Sequence, residues 1–338
     1  MLQEAIKKLI TPVNLTEDEI VESMNYIMEG NATPAQIGSF ITALRIKGET
    51  VEEITGCAKV MRDKADRFVP NLDYFIDTCG TGGDGSNSFN ISTAAAIVAA
   101  AGGVPVAKHG NRSISSMTGC ADVLEALGVN INLTSEQAKK CLEDIGICFM
   151  FAPVFHKSMK YAAGPRKELG IRTIFNVLGP LTNPAGAKGQ VMGVFDGKLT
   201  ETLAKVLLKL GVERAMVVHG MDGMDEITTT TSTRVSEVRD GQVINYEIKP
   251  QDFNINVSSA NDLKGEDPKV NCEIIKSIFS GEKGPKRDIV VLNSAAALYV
   301  GKKVNSLRDG VELAGELIDT GKASDKLKQL VEYTSNLN

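Results

Sequence analysis

No two cysteines in this sequence are spaced as C-x-x-C, and the six that occur (Cys57, Cys79, Cys120, Cys141, Cys148 and Cys272) are scattered. Zinc-ligand spacing is therefore absent, and a disulfide framework is not expected in a chain of 338 residues. Reduced thiols in a cytoplasmic protein are the reading that fits. No segment is apolar for long enough to cross a bilayer, so no membrane partner is expected. The start, Met1-Leu2-Gln3-Glu4-Ala5, opens directly into an amphipathic pattern, without the basic and apolar regions of a signal peptide. Positive charge is not in excess either. With 37 Lys and Arg against 42 Asp and Glu, the net charge of −5 argues against a nucleic-acid partner. It argues less against a small anion, for which a few focused cations suffice. What is present is the composition of a globular protein with a substantial core, 43% hydrophobic and 23% charged. The length suits one large domain or two ordinary ones.

Residues 1–69 hold no convincing strand. The stretches "EAIKKLI", "EDEIVESMNYIMEG", "TPAQIGSFITALRIKG" and "TVEEITGCAKVMRDKA" each repeat apolar residues at three- and four-residue spacing, predicting about four helices. Thr16, Thr33 and Thr50 stand at their starts, and Gly30 and Gly48 close the second and third. So small a helical domain needs further cover. The segment from about 157 to 184, helical at first and then rich in Gly and Pro, is expected to return and supply it. From Tyr74 the period changes: "YFID" is a short strand, "ISTAAAIVAAAGG" a helix, "VPVAKHG" the next strand and "CADVLEALG" the next helix. "QVMGVF", "AMVVHG" and "DIVVLNSAAALYVG" continue the alternation of strand and helix, and residues 228–248 form a hairpin about Asp240-Gly241. The fold class is α/β: a small all-helical N-terminal domain, then a larger domain with a mainly parallel central sheet surrounded by helices. The expected division is 1–69 with 157–184 as the helical domain, and 70–156 with 185–338 as the α/β domain.

"DTCGTGGDGSNSFNIST" (77–93) places Gly80, Gly82 and Gly85 at G-x-G-x-x-G spacing after a strand and before a helix. A dinucleotide site would also need an acid about 20 residues on, to hold the ribose. None lies between Asp84 and Asp122. The next strand end instead offers Lys108, His109, Asn111 and Arg112, with Ser113, Ser115 and Ser116 behind them. A glycine-rich nest and a helix start near Asn90-Ile91-Ser92-Thr93 favour phosphate or pyrophosphate, and the cationic loop suits a second phosphate. Both loops belong at the carboxyl edge of the sheet, where ligands bind in such folds. A nicotinamide dinucleotide is excluded.

"DTCGTGGDGSNSFNIST", "KHGNRSISSMTGCADVLEALG", "RKELGIRTIFNVLGPLTNPA" and "GMDEIT" resemble, in order, the motifs of the anthranilate phosphoribosyltransferases of tryptophan biosynthesis. The likeness runs over nearly the whole chain, to the closing "NSAAALYVG". It implies a fold shared with pyrimidine nucleoside phosphorylases, a homodimer built through the helical domain, and phosphoribosyl pyrophosphate, anthranilate and Mg2+ as ligands. Phosphoribosyl pyrophosphate is then expected at Gly80, Thr81, Gly82, Gly83 and Asp84, with Ser88, Asn90, Ile91, Ser92 and Thr93 around the helix start. Its other contacts are expected along Lys108, His109, Gly110, Asn111, Arg112, Ser113, Ile114, Ser115 and Ser116, and at Cys120. Anthranilate is expected at Gly80, Asn111, His156 and Arg166, and the metal at Ser92, Asp225 and Glu226. Three features depart from the family pattern: Lys157 follows His156 where Pro is usual, "YAAGP" precedes Arg166, and Cys120 stands where Ser or Ala is usual. A thiol is the weaker donor.

Physical chemistry agrees with these placements. Pyrophosphate needs a divalent cation beside its N–H donors, and hard Mg2+ prefers carboxylates and water. A planar arginine fork suits the anthranilate carboxylate. The nucleophile is a neutral amine and the leaving group is good once its charge is neutralised, so no discrete acid or base is required. Lys108, Asn111 and Arg166 are expected to act by positioning. Closure between the domains is expected, with pivots near Val69-Pro70 and 178–184. The alternatives are a nucleoside phosphorylase of the same fold, whose Ser-Gly-Arg-Gly loop is replaced here by "KHGNRSISS", and a non-catalytic nucleic-acid-binding relative, against which the acidic balance speaks.

Overall fold

A computed structural model describes residues 1–113 and 117–337. The chain begins with four helices, α1 (Leu2–Ile10), α2 (Glu17–Met28), α3 (Pro34–Lys47) and α4 (Val51–Asp63). Three of them start with reciprocal caps. Thr16, Thr33 and Thr50 each accept the backbone N–H three residues on, while Glu19, Gln36 and Glu53 bond back to the capping residue. Glu53 does more: its carboxylate is buried with Lys47 Nζ at 2.8 Å and accepts the Leu15 N–H at 2.9 Å, tying three elements together.

The α/β part runs β1 (Ile76–Gly80), α5 (Ile91–Ala101), β2 (Val106–Gly110), α6 (Cys120–Ala126), α7 (Ser135–Ile145), β3 (Ile147–Phe151) and α8 (Ala152–Phe155). It returns through α9 (Lys160–Leu169) and α10 (Phe175–Leu181), then β4 (Gly189–Gly193), α11 (Leu199–Lys209), β5 (Arg214–Gly220) and the hairpin β6 (Thr233–Arg239) and β7 (Gln242–Ile248). Helices α12 (Pro268–Phe279), α13 (Pro285–Val300), α14 (Leu307–Asp319) and α15 (Lys322–Ser335) close the chain. Among the described residues the sheet has the order β3-β2-β1-β4-β5-β6-β7, parallel through β5 and antiparallel beyond it. This is the expected architecture, a small helical bundle beside a larger α/β unit.

Some elements differ from the sequence reading. The first strand is shifted toward the glycine loop and ends on Gly80 itself. Strand β3, the central residues of "GICFMFA", fills the sheet edge. Residues 288–300 are helical throughout, because α13 is buried on every side and its apolar run lacks the one-sided pattern of a surface helix.

The strand order places a topological switch between β1 and β4. The connections β1→β2→β3 progress one way across the sheet, and β4→β5 the other, opening a crevice at the carboxyl ends of these strands. One core lies between the sheet and α5, α12, α13, α14 and α15. The other is continuous from the helical bundle, through residues of α9 and α10, to α11 and the opposite sheet face at Met192, Val194, Ala215 and Val217. Helix α9 packs on α2 and α3, and α10 on α4, while α11 touches both α4 and the sheet. The 178–184 stretch is a poor pivot: Thr182 and Asn183 are buried, and the Asn183 amide donates to Asp77 Oδ2 and to the Ala107 carbonyl, each at 2.8 Å. Among the described residues, no helix is long and apolar enough to cross a membrane.

Candidate active site

Four strand ends meet at the switch point. From β1 comes the glycine loop, in which Gly82, Gly83 and Gly85 adopt left-handed φ of +64°, +74° and +75° that other residues rarely accept. The Thr81 N–H donates to the Gly193 carbonyl at 2.9 Å, and Thr81 Oγ1 accepts the Phe195 N–H at 3.1 Å, pinning the loop to the end of β4. From β5 comes the acidic loop. Asp225 Oδ2 accepts the Gly82 N–H at 2.8 Å, and the Asp225 N–H donates to Asp84 Oδ2 at 3.2 Å, so the two loops interlock. Two glycines lie beneath this contact. A Cβ on Gly193 would lie 1.5 Å from the Asp225 carbonyl oxygen, and one on Gly80 would lie 2.5 Å from Asp225 Oδ2.

From β2 comes Lys108, whose buried Nζ donates to the Thr78 carbonyl and lies 3.3 Å from Ser92 Oγ. It thus bridges the end of β1 to the start of α5. Burial together with the Asp84 charge raises the Asp225 pKa. Burial, then Asp225, raises that of Glu226, while Lys108 acts in the opposite sense. Asp84, Asp225 and Glu226 therefore repel one another, with Lys108 the cation that faces Glu226. Among the described residues, no three His, Cys, Asp or Glu side chains close into a metal cage. The donor set fits Mg2+ on this evidence: two crowded carboxylates and a hydroxyl, all hard oxygens, with coordination left for water and phosphate.

The other residues expected at the ligand hold the following positions. Asn90 does not cap α5 with its side chain. Its Nδ2 donates to the Thr118 carbonyl at 3.2 Å and its Oδ1 accepts from Asn271 at 3.1 Å, so it links the segments after β1 and β2 to α12. Ile91 and Thr93 are buried. Ser88 is half-buried, bonded to Ser86 and bridged through its backbone to Lys264. The Arg112 guanidinium sits between Asp122 and Glu125, at 2.7 and 2.9 Å. The Ser113 N–H donates to Asp122 Oδ2 at 3.2 Å. Asn111 Oδ1 accepts the next N–H in the chain at 2.7 Å, and Cys120 Sγ donates to the Asn111 carbonyl at 3.3 Å. Gly110 packs so closely on Cys120 that a Cβ there would lie 2.2 Å from the sulfur. Ile114, Ser115 and Ser116 lie outside the described residues.

His109 and His156 are buried with ring centroids 5.0 Å apart. Burial pushes their pKa values down, to about 3 for His109, where the His156 ring adds to the effect, and to about 4 for His156. Both rings are neutral at physiological pH. Arg166 is half-buried, stacks over Phe175 at 5.0 Å, and has a pKa lowered by burial.

The structure adds residues that the sequence reading did not select. Arg172, six residues beyond Arg166, stacks on Phe195 at 4.1 Å and donates to the Gly83 carbonyl, joining the α9–α10 connection to the glycine loop. Asp77 is buried beneath His109 and accepts that residue's N–H at 3.1 Å. Asn293 holds the backbone of Ile227, next to Glu226. Arg172 and Asn293 both fall in quoted motifs, but only their distant partners reveal them.

A helical bundle beside a parallel α/β sheet, with a phosphate-type loop facing carboxylates at the switch point, is the design of a glycosyl transferase. The α/β-domain model of a glycosyl transferase family matches residues 72–324, and that family's helical-bundle model matches residues 3–65. The chain is 70% identical over 336 residues to the anthranilate phosphoribosyltransferase of Acetivibrio thermocellus, covering 99% of this chain and 97% of that one. It belongs to the anthranilate phosphoribosyltransferase family. Its fold superposes with a TM-score of 0.93 on the crystal structure of the Thermus thermophilus enzyme, at 42% identity over 98% of this chain and 99% of the other. For the Saccharomyces cerevisiae enzyme in complex with PRPP and Mg the TM-score is 0.92, at 29% identity over 99% and 98%.

Proposed function

We infer that this chain transfers the phosphoribosyl group of 5-phosphoribosyl 1-pyrophosphate to the amine of anthranilate. The products are N-(5-phosphoribosyl)anthranilate and pyrophosphate, and the step belongs to tryptophan biosynthesis. Beside the family membership, one observation carries the reading: the glycine loop of β1 faces Asp225 and Glu226 across the switch point, 2.8 Å apart at Gly82.

In this reading the pyrophosphate lies against the glycine loop, residues 80–84, where the Gly82 N–H is exchanged from Asp225 to the ligand, and against the α5 start. Lys108, already at Ser92, meets it from the β2 side. Ser92, Asp225 and Glu226 would hold Mg2+, as the crowding of the two carboxylates favours. When bound, Mg2+ neutralises charge on the leaving pyrophosphate. Arg166 faces the anthranilate carboxylate, with Gly80, Asn111 and His156 around the ring. The C1–O bond breaks with its electron pair going to pyrophosphate, the anthranilate nitrogen bonds to C1, and the proton that nitrogen then loses passes to water. Positive charge on the sugar ring is met by the enclosing oxygens, as in other glycosyl transfers. His109 and His156, neutral and buried, give the ring pocket shape without adding charge.

The division of the chain that suits this reading is 1–69 with 157–184 as the helical domain and the remainder as the α/β domain. The packing of α9 and α10 on the bundle supports it. A homodimer through the helical domain is favoured by Ile10, Val13 and Ile46, 66%, 48% and 82% exposed on the α1–α3 side. The cytoplasm is the compartment that suits six free cysteines. Pyrophosphate release that requires both substrates tests the activity. Release of phosphorylated sugar from nucleosides and inorganic phosphate would instead indicate a phosphorylase.

A further inference from the structure

The carboxylates that face the glycine loop stand on a segment with no regular secondary structure, residues 221–232, so something must fix their direction. One end is fixed by Asp222. Its Oδ1 accepts the Met224 N–H at 3.1 Å, and its Oδ2 accepts the hydroxyls of Thr228, at 2.7 Å, and of Thr230. The other end is fixed from α13. Asn293 Oδ1 accepts the Ile227 N–H at 3.0 Å, and Asn293 Nδ2 donates to the Ile227 carbonyl at 2.8 Å. The second hydrogen on Nδ2 goes to the Ile289 carbonyl at 2.9 Å, one turn back in α13.

Each of these three bonds has ordinary length, and the Asn293 amide is almost wholly enclosed. Both amide hydrogens are used. The bond to Ile289 holds the amide on its own helix, and the two-point bond to Ile227 grips one residue as a neighbouring strand would. The peptide preceding Ile227 begins at Glu226, so its plane is set by Asn293. The two side chains also line one small cavity, with Ser92, Thr78 and Cys79.

We propose that Asn293 is a positioning residue for the metal-holding loop, acting through Ile227 to aim Glu226 at the cation that accompanies the pyrophosphate. The inference rests on the proposed use of Asp225 and Glu226. Only an amide meets all three demands. Aspartate has the same shape but lacks both hydrogens, and it would turn a negative oxygen toward the carbonyls of Ile227 and Ile289 and toward Glu226. Serine can accept the Ile227 N–H or donate once, but not both ways at this reach.

The test is calorimetric binding of phosphoribosyl pyrophosphate to the full-length protein over a range of Mg2+ concentrations, for the wild type, Asn293→Asp and Asn293→Ser. Steady-state KM values for anthranilate are measured alongside. The expected result is a tenfold or greater rise in the Mg2+ concentration that half-saturates binding, with the anthranilate KM changed less than twofold and metal-free pyrophosphate binding unaltered. A general loss of structure would move all three together. Should Asn293→Asp not fold, Asn293→Ser carries the same comparison. Wild-type Mg2+ dependence in a folded variant, or an equal shift in metal-free pyrophosphate binding, overturns the proposal. Binding by the wild type that ignores Mg2+ altogether would instead strike the reading of Asp225 and Glu226 on which it rests.

Discussion

Asp225 Oδ2 accepts the Gly82 N–H at 2.8 Å, so the protein's own carboxylate occupies one of the donors that a phosphate would use. Burial and the Asp84 charge raise the pKa of this acid, whereas the Gly82 N–H works in the opposite sense, and the approach is possible because Gly80 and Gly193 leave no side chain in the way.

Competition for that donor has a counterintuitive consequence. Asp225→Ala is expected to bind metal-free pyrophosphate several-fold more tightly than the wild type, because the Gly82 N–H is released and a negative charge removed. Turnover is expected to fall at least about 100-fold, the scale of losing a main electrostatic stabiliser. Calorimetry and initial rates on one preparation check both halves. Weaker pyrophosphate binding in the variant would contradict the competition.

The two glycines under Asp225 are not equivalent. At Gly193 a Cβ would meet backbone, 1.5 Å from the Asp225 carbonyl oxygen, whereas at Gly80 it would meet the end of a side chain. Gly193→Ala must displace the acidic loop and is expected to cost about 3 kcal/mol or more, the upper range of ordinary overpacking. Gly80→Ala is expected to cost less stability while still lowering the rate. Urea unfolding of both variants decides it, and equal losses would count against the close approach.

Helices α2–α4 were legible because their signals are local: Thr at the cap, Glu or Gln three residues on, and glycine at +80° and +87° after the second and third helices. The β6–β7 hairpin was legible through Asp240-Gly241, both with positive φ. Strand β3 was not, because Gly146 alone separates it from α7 and its five residues are buried without alternation. An apolar run buried on every side hides α13 in the same way. In the site, the glycine loop and Asp225-Glu226 follow strand ends and could be found by pattern. The side-chain partners of Asn90, Thr118 and Asn271, are 28 and 181 residues away and leave no local signal. Arg172 and Asn293 likewise show their partners, Gly83 and Ile227, only in the folded chain.

Two buried histidines give the fold a defined acid limit. The unfolded imidazole titrates near 6.5, whereas folded His109 and His156 titrate at about 3 and about 4. The unfolded chain therefore binds more protons in between. Their contribution is fully present above about pH 6.5 and is lost as pH falls toward 4, at roughly 1.4 kcal/mol per pH unit for each ring. Urea midpoints at pH 7.5, 6 and 5 should fall less steeply in His156→Gln than in the wild type. Parallel slopes would show that the ring is not buried in its neutral form.

The helical bundle depends on one enclosed charge pair. Lys47 and Glu53 have side chains only 3% and 0% exposed, and Glu53 also receives the N–H groups of Leu15 and Thr50, each at 2.9 Å. Glu53→Ala leaves a buried ammonium and two unpaired N–H groups, with an expected loss of about 3–5 kcal/mol. Chemical unfolding measures it, and a loss below about 1 kcal/mol would place the pair in contact with water.

The most direct test of the whole account is the time course of anthranilate fluorescence with phosphoribosyl pyrophosphate, with and without Mg2+. The expected result is a fluorescence loss that requires Mg2+ and that Asp225→Ala abolishes. An unchanged signal at high enzyme concentration with Mg2+ present would contradict it.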